Sequence, residues 1–597
     1  MTKDTILHRL HRNAKSFGDK AAYYEKENGS WKPTNWSDYT AETRQAARAL
    51  ISLGLQERDI VTILGFNRSE WSVMALASML MGGTAAGIYT SNAPSEVQYI
   101  VDHAKSKLIL IEDMKQWEKI KAERENMPSL QHVIMMRGDE TPDDPMVWSW
   151  KDFLSQGDEV PDSVIDERLD ALQPNDLATM IYTSGTTGPP KGVMLSHENI
   201  QWTSEIGKSL LGWDNNEVLL SYLPLSHIAE QMFSIHTAIT SGYTIYYAED
   251  PLKVADNIKE VQPTVLFGVP RVWERFYNGI SAQLDQATGI RASIGSWARG
   301  VGTQVTELRN QGKEPSGLLA MQYNLASRLV FSKIREALGL TRTTHMISGA
   351  APIPKQILDF FASLDMPIYE VYGQSEDTGP TSFNIPGDSL LGSVGKPIPG
   401  MDVKITEEGE IIAKGPNVFL GYYNNPKATE STLIDGWLYS GDLGKIDDDG
   451  FLHITGRKKD IIITSGGKNI APKNLEAAMT SLELVSSAVC IGEQQRYLIG
   501  LVTLEPEAAK RFADEHGLDV NNLHNEQKLK DRLMEDIKAE VNSHFARVEH
   551  IRNIVVLPND FSVESGELTP TFKIKRAVVN KMYEPQIVAC YEEGQKM

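Results

Sequence analysis

Short runs of β-branched and aliphatic residues alternate with longer stretches in which apolar residues recur every three or four positions. Ile60–Gly65, Leu108–Glu112, His132–Met136, Leu219–Tyr222, Thr244–Ala248, Val265–Val269 and Thr344–Ser348 read as strands. Ala41–Leu53, Pro94–Ala104 and Val254–Val261 read as helices between them. Strand and helix in alternation predict mostly parallel sheets covered by helices. Trp71 to Tyr89 carries no charge and is almost long enough to span a bilayer. The paired glycines 82 and 83 divide it, so we read a buried helix (Trp71–Met81), a turn and a buried strand (Thr84–Tyr89). Ser281–Leu340 is polar-helical, with Ile294, Trp297, Val301, Val305 and Leu308 at helical intervals. This is an all-helical insertion, and a lid, a membrane-facing patch and plain packing all fit it. After about Met401 short strands and tight turns take over, as at Val403–Ile405, Glu410–Ala413 and Asp449-Gly450.

A chain of 597 residues is too long for one hydrophobic core. We expect an α/β protein: a large N-terminal domain over 1–456, with mostly parallel sheets and a small β-rich subdomain, and a small mobile α+β domain over 457–597. The hinge falls at 457–460, in the polar stretch Gly456-Arg457-Lys458-Lys459-Asp460. The net charge of −20 argues against a nucleic-acid binder and against general adhesion to anionic lipid, although a local basic patch is compatible with it. The two cysteines, Cys490 and Cys590, form no disulfide framework and fit a reducing cytosol. The 13 histidines contain no His-Glu-x-x-His pair, and the N-terminus lacks the apolar run of a signal peptide, so we expect a cytoplasmic protein.

Candidate chemistry concentrates in Ile181-Tyr-Thr-Ser-Gly-Thr-Thr-Gly-Pro-Pro-Lys-Gly192, which follows the strand-like run Leu177–Tyr182. Gly185 and Gly188 let the backbone approach an anion, Thr183, Ser184, Thr186 and Thr187 add hydroxyl donors, and Lys191 adds positive charge. This composition grips phosphate. It is not a Walker A loop, because only two residues separate the glycines. Downstream, Ile368-Tyr-Glu-Val-Tyr-Gly-Gln-Ser-Glu376 places an aromatic, a glycine, a hydroxyl and an acid after a strand. The aromatic can stack on a base, Ser375 can bond a phosphate oxygen, and Glu376 can share Mg²⁺ with phosphates. Ser348-Gly-Ala-Ala-Pro-Ile-Pro354 is a small-residue turn that can lie against a planar ring. Asp442, at the end of Asp435-Gly-Trp-Leu-Tyr-Ser-Gly-Asp442, can accept two ribose hydroxyls. Asp447-Asp448-Asp449-Gly450 lacks the spacing of an EF-hand and reads as a hairpin turn.

From about residue 15 to 585 these motifs resemble, in order and spacing, the adenylate-forming acyl-CoA synthetases and their long-chain fatty acid branch. Ser221-Tyr-Leu-Pro-Leu-Ser-His-Ile-Ala229, Gly268-Val-Pro-Arg-Val-Trp-Glu274 and Leu568-Thr-Pro-Thr-Phe-Lys-Ile-Lys-Arg576 resemble the bubblegum-type long- and very-long-chain members. The resemblance implies ATP, Mg²⁺ and CoA, and a long- or very-long-chain fatty acid as substrate. It implies that Thr183 to Lys191 hold the β- and γ-phosphates, and that Glu376 and Thr183 serve Mg²⁺. Tyr372, Gly373 and the Gly349-Ala350-Ala351 turn would hold adenine, Ser375 the α-phosphate, and Asp442 and Arg457 the ribose. Lys459 falls at the hinge and His227 in the motif lining the acyl and phosphate region. The family's catalytic lysine, usually preceded by glycine, matches Lys573, where Phe572 replaces the glycine. Lys575, two positions on, is its competitor.

The implied chemistry has two steps. The carboxylate is first activated as an acyl-adenylate with release of pyrophosphate, and the CoA thiol then displaces AMP. Between them the small domain would swing about Lys459, withdraw Lys573 and present Ser465-Gly466-Gly467-Lys468 to the pantetheine arm. Loading of an acyl carrier protein and a catalytically dead adenylate-binding scaffold remain as rivals. Gln231 stands near the place where some relatives carry a gating tryptophan, which puts that device in doubt. No anchor is present, and a lipid-partitioning substrate leaves peripheral contact with a membrane open.

Overall fold

The computed structural model describes residues 4–136, 141–183, 189–466, 468–563, 565–569 and 573–594. Two large sheets form the N-terminal domain. One has eight strands, with Thr84–Ile88, Ile60–Leu64, Leu108–Ile111, His132–Met135 and Val147–Ser149 running parallel to Leu177–Thr183. Lys191–Ser196 and Gly421–Tyr422 close that edge in antiparallel fashion. The other has nine strands. Its centre, Ile368–Tyr372, His345–Ser348, Val265–Gly268, Val218–Ser221 and Thr244–Tyr247, is parallel throughout. Parallel strands must be covered on both faces, which explains their unbroken apolar runs.

The uncharged stretch from Trp71 lies in the helix Ser69–Leu80, buried at every position but Glu70, and the strand Thr84–Ile88 that follows it. Its Trp71, Leu76 and Leu80 lie between the sheets, and side chains of this size contribute about 1.5–3 kcal/mol each on burial. Gly82 makes the intervening turn at φ +88, a conformation that favours glycine. Among the described residues no helix is long and apolar enough to cross a membrane.

Several strands escaped the sequence reading, Val147–Ser149 and Lys191–Ser196 among them. Ala21–Glu27 and Ser30–Asn35 form a hairpin that extends the nine-stranded sheet, their apolar alternation masked by Glu25, Lys26 and Lys32. The following helix, Trp36–Ser52, starts earlier than its apolar period indicates, because the Asn35 side chain accepts the Asp38 N–H as a cap. The insertion is helical, with Ile290–Asn310 and Gly317–Ala326 packed around Ala298, Val301, Val305 and Phe331.

A five-stranded antiparallel sheet, including Asp402–Ile405, Glu410–Lys414, Trp437–Ile446 and Leu452–Arg457, follows. The Asp447–Gly450 segment is its hairpin turn. In the C-terminal domain Val485–Ile491, Leu498–Leu504 and Ile551–Val556 form a three-stranded sheet with an apolar cluster on each face. Arg271 of the N-terminal domain reaches across to it. Its guanidinium donates to the Ser486 carbonyl at 2.6 Å and hydroxyl at 2.9 Å, and lies 3.4 Å from Asp560.

Candidate active site

A cleft of about 3230 Å³ runs between the two large sheets and beneath the C-terminal domain. Thr183, Lys191, His227, Ala350, Ala351, Tyr372, Gly373, Ser375, Glu376, Asp442, Arg457, Lys459 and Lys573 all line it. Residues separated by almost four hundred positions thus share one space because strand ends and one hairpin converge there. Ser184–Gly188 and Gly467 lie outside the described residues.

Thr183 ends its strand and Lys191 begins the next, and the antiparallel register pairs the two. The Lys191 ammonium sits 4.5 Å from the Tyr422 ring centroid, and the Tyr422 hydroxyl donates to Glu376 at 2.7 Å. The cation therefore lies over the ring and the carboxylate at its hydroxyl. Tyr422 carried no motif signal; the antiparallel pairing of Gly421–Tyr422 with Lys191–Ser196 brings it there.

The strand Ile368–Tyr372 delivers Tyr372, Gly373, Ser375 and Glu376 in succession. The Tyr372 hydroxyl donates to Asp442 Oδ2 at 3.0 Å, and Arg457 Nε meets Asp442 Oδ1 at 3.0 Å. Asp442 and Arg457 are direct partners across the hairpin. The turn expected to lie on a planar ring presents Ala350 and Ala351 to the cleft, with Ala350 at φ +69. A non-glycine residue there is strained, which marks a turn shaped for more than chain reversal. Gly349 is not at the cleft surface: it packs beneath the turn, where a Cβ would come within 2.7 Å of Val371.

Gly373 admits no side chain. A Cβ would fall 1.5 Å from the Gly379 carbonyl oxygen, and backbone cannot yield cheaply. Gly373→Ala is expected to lower stability by about 1–3 kcal/mol and to weaken ATP binding, read as a lower Tm and a raised KM for ATP. An unchanged Tm and KM would refute the close approach.

Lys573 enters from the C-terminal domain. Its N–H donates to the Thr569 hydroxyl at 3.0 Å and its carbonyl accepts the Thr569 N–H at 2.7 Å, which fixes its backbone against Thr569. It keeps contact with water although the cleft walls surround it. Crowding by those walls, then the like charges of Arg457 and Lys473, push the ammonium down to about 8, against the pull of Asp442 and Glu376. Lys575 does not line the cleft. Arg576 has a structural partner instead, in contact with Glu476 at 2.5 Å and donating to the Cys490 carbonyl at 2.7 Å.

His227 precedes the short helix Ile228–Gln231 and accepts the Ala229 N–H on Nδ1 at 3.2 Å. Burial, and next the charge of Lys573, lower it to about 4, so it is neutral and its N–H is on Nε2. Gln231 is buried and accepts from Thr179 at 3.2 Å, away from the cleft. Phe233, two positions on, is among the aromatics that do line the cavity, tilted against Phe267 with centroids 4.9 Å apart. It lies in a π-turn, Met232–His236, whose extra residue per turn breaks the period from which its direction could be read. Glu370 was also missed: burial holds it near 8, and it accepts the Gly392 N–H at 3.1 Å at the cleft wall. Gly466 and Lys468 do not line the cleft in this arrangement; they turn between the strands Ile462–Ile463 and Asn469–Ile470. Neither cysteine lines it.

Glu376, sharing one cleft with lysines from two domains, suits a polyphosphate nucleotide carried with a hard cation, and the fold is that of adenylate-forming enzymes. Residues 10–423 match the AMP-binding enzyme family and residues 459–595 the AMP-binding enzyme C-terminal domain, and the chain belongs to this family. It is 38% identical to the long-chain-fatty-acid–CoA ligase ACSBG2 of Xenopus laevis, over 99% of this chain and 84% of that protein. It is 36% identical to human long-chain-fatty-acid–CoA ligase ACSBG1, over 99% and 86%. The resemblance drawn from the motifs, down to the bubblegum-type branch, is thereby borne out. Among solved structures the fold matches the adenylation domain of a carboxylate reductase from Mycobacterium chelonae, with a TM-score of 0.78 at 22% identity over 99% of this chain and 92% of that one. It also matches ATP-bound MatB from Rhodopseudomonas palustris, with a TM-score of 0.68 at 21% identity over 97% and 99%.

Proposed function

We propose that this protein is an ATP-dependent long-chain fatty acid:CoA ligase that forms an acyl-adenylate and then a CoA thioester. The observation that carries the reading is the meeting of Lys573, from the C-terminal domain, with Glu376, Asp442 and Arg457 in one cleft. The curated relatives named above support the substrate class. A fatty acid of this kind partitions into lipid, so we infer a cytoplasmic enzyme working at a membrane surface.

In the first step the fatty carboxylate attacks the α-phosphorus of ATP and pyrophosphate leaves. Asp442 and Arg457 would hold the ribose, the Ala350-Ala351 turn and Tyr372 the adenine, and Ser375 the α-phosphate. Thr183 and Lys191 would face the β- and γ-phosphates. Glu376, with Thr183 beside it, fits Mg²⁺, since a nucleotide-bound ion takes few protein ligands; the ion would neutralise phosphate charge. Lys573 would stabilise charge that grows on the transferring oxygens, in a cleft whose walls limit water. His227, neutral, would line the acyl side. In the second step the C-terminal domain would turn about the Arg457–Asp460 segment. The Arg271 contacts to Ser486 and Asp560 would break, Lys573 would leave, and the Gly466–Lys468 turn would admit the CoA thiol.

The test offers purified protein MgATP, CoA and fatty acids of graded length, with one aryl acid, and follows pyrophosphate and thioester by mass spectrometry. Thioester peaking at one chain length is the expected result. Pyrophosphate without thioester would move the acceptor to a carrier protein, and no product with any acid would overturn the reading.

The ammonium form of Lys573 is the active one, and it is full below about 8 and lost above. Because kcat/KM reports the free enzyme, kcat/KM for ATP should fall as pH rises through about 8. Lys573→Arg, which cannot deprotonate, should lose that limb whatever its absolute rate. A wild-type profile flat to pH 9.5 or so would contradict the assignment.

A further inference from the structure

We propose that the helical insertion is a docking surface for an anionic lipid bilayer. The helix Gly317–Ala326 is apolar on both sides. Ala326 and Leu319 face the insertion's own small core. Leu318, Met321 and Leu325, at i, i+3 and i+7, share the opposite face and stand 70, 70 and 51% exposed. A bare apolar face of this kind, opposite a face already buried, marks a surface that something covers.

Charge decides what covers it. Between Glu314 and Glu336 the chain carries Arg328, Lys333 and Arg335 and no acid, within a chain of net −20. Arg309 and Arg335 are spent internally, on Asp365 and on the carbonyls of Thr343 and Asp365. Arg291, Arg328 and Lys333 are exposed, and among the described residues no ion pair engages them. Arg328 follows Leu325 by three positions and Lys333 by eight, so the segment that carries the apolar face ends in exposed cations. This pairing of apolar contact with nearby cations is what an interfacial helix presents to anionic headgroups. Repulsion from the rest of the acidic chain is screened beyond about 8–10 Å at physiological salt, so the local sign governs contact.

The placement suits a lipid-borne substrate. Arg299 and Thr303, on the neighbouring helix Ile290–Asn310, line the active-site cleft. One helical pair thus touches the cavity on one side and bares an apolar face on another. The inference deepens the fatty acid ligase reading, but its test needs no turnover, so either can fail alone.

Full-length protein is sedimented with vesicles of phosphatidylcholine alone and of phosphatidylcholine mixed with phosphatidylglycerol. The wild type should partition onto the mixed vesicles and release with added salt. Leu318→Ser/Met321→Ser/Leu325→Ser should lose about tenfold or more of that partition, with Tm and pyrophosphate release on a short soluble acid unchanged. Arg328→Gln/Lys333→Gln should bind the mixed vesicles more weakly and with less salt dependence. Wild-type protein that stays in solution with both vesicles would overturn the proposal. So would triple-serine protein that binds like wild type, or an apolar face that proves to bury a second copy by sedimentation velocity.

Discussion

Lys573→Ala is expected to slow pyrophosphate release by about 10²–10³-fold while leaving thioester formation from supplied acyl-adenylate within a few-fold of wild type. Lys573 is a cleft cation delivered by the C-terminal domain and bonded to Thr569. Its charge is felt at His227, and its own ionisation responds to Asp442 and Glu376, which locates it electrostatically at the centre of the site. Only interactions stronger in the transition state than in the ground state accelerate a step, so the loss belongs in kcat of adenylation more than in KM for the fatty acid. Rapid quench with each half-reaction measured separately decides it. Equal loss in both halves would mean that Lys573 supports structure, and no loss in either would return the role to Lys575.

Gly466→Leu is expected to show the reverse pattern: adenylation near wild type, and thioester formation reduced by about 10²-fold. In the arrangement described, a Cβ at Gly466 meets nothing nearer than the Thr464 hydroxyl at 4.0 Å, so the side chain is accommodated without strain. The turn lies outside the cleft, and nothing in the first step needs it. After rotation the same turn would form the wall of a narrow passage for pantetheine, where four added carbons obstruct. Accumulation of enzyme-bound acyl-adenylate, seen by mass spectrometry after mixing with MgATP, fatty acid and CoA, is the signature. Equal loss of both half-reactions would sink the two-arrangement reading.

Much of the site was legible in the chain because its chemistry is carried by local strings. The strand ending at Tyr372 and its continuation to Glu376 place five lining residues in five consecutive positions, so spacing alone groups them. Gly373 is required by contact with Gly379, also nearby in sequence. What was illegible came from pairing across strands or from broken periods. Tyr422 reaches Glu376 only through an edge strand of two residues, too short for any pattern. Phe233 turns toward the cavity through a π-turn, and Glu370 interrupts an apolar strand in a way that reads as noise until Gly392 is seen above it. The hairpin Ala21–Glu27/Ser30–Asn35 was hidden because an edge strand wets one face and tolerates charge.

By itself the sequence determined the alternation of parallel strands and helices, the division of the uncharged stretch at Gly82-Gly83, and the set of groups able to grip a nucleotide. These follow from backbone preference and side-chain chemistry, which act over a few residues. The tertiary structure decided which of those groups meet. It joined Asp442 to Arg457 by hairpin register and brought Lys573 to Glu376 across the domain boundary, while leaving Gly466 and Lys468 outside. It also decided that Leu318, Met321 and Leu325 stay bare. Apolar spacing shows that a helix has an apolar face, but only packing shows which faces find partners, because burial depends on what other segments bring to the same place.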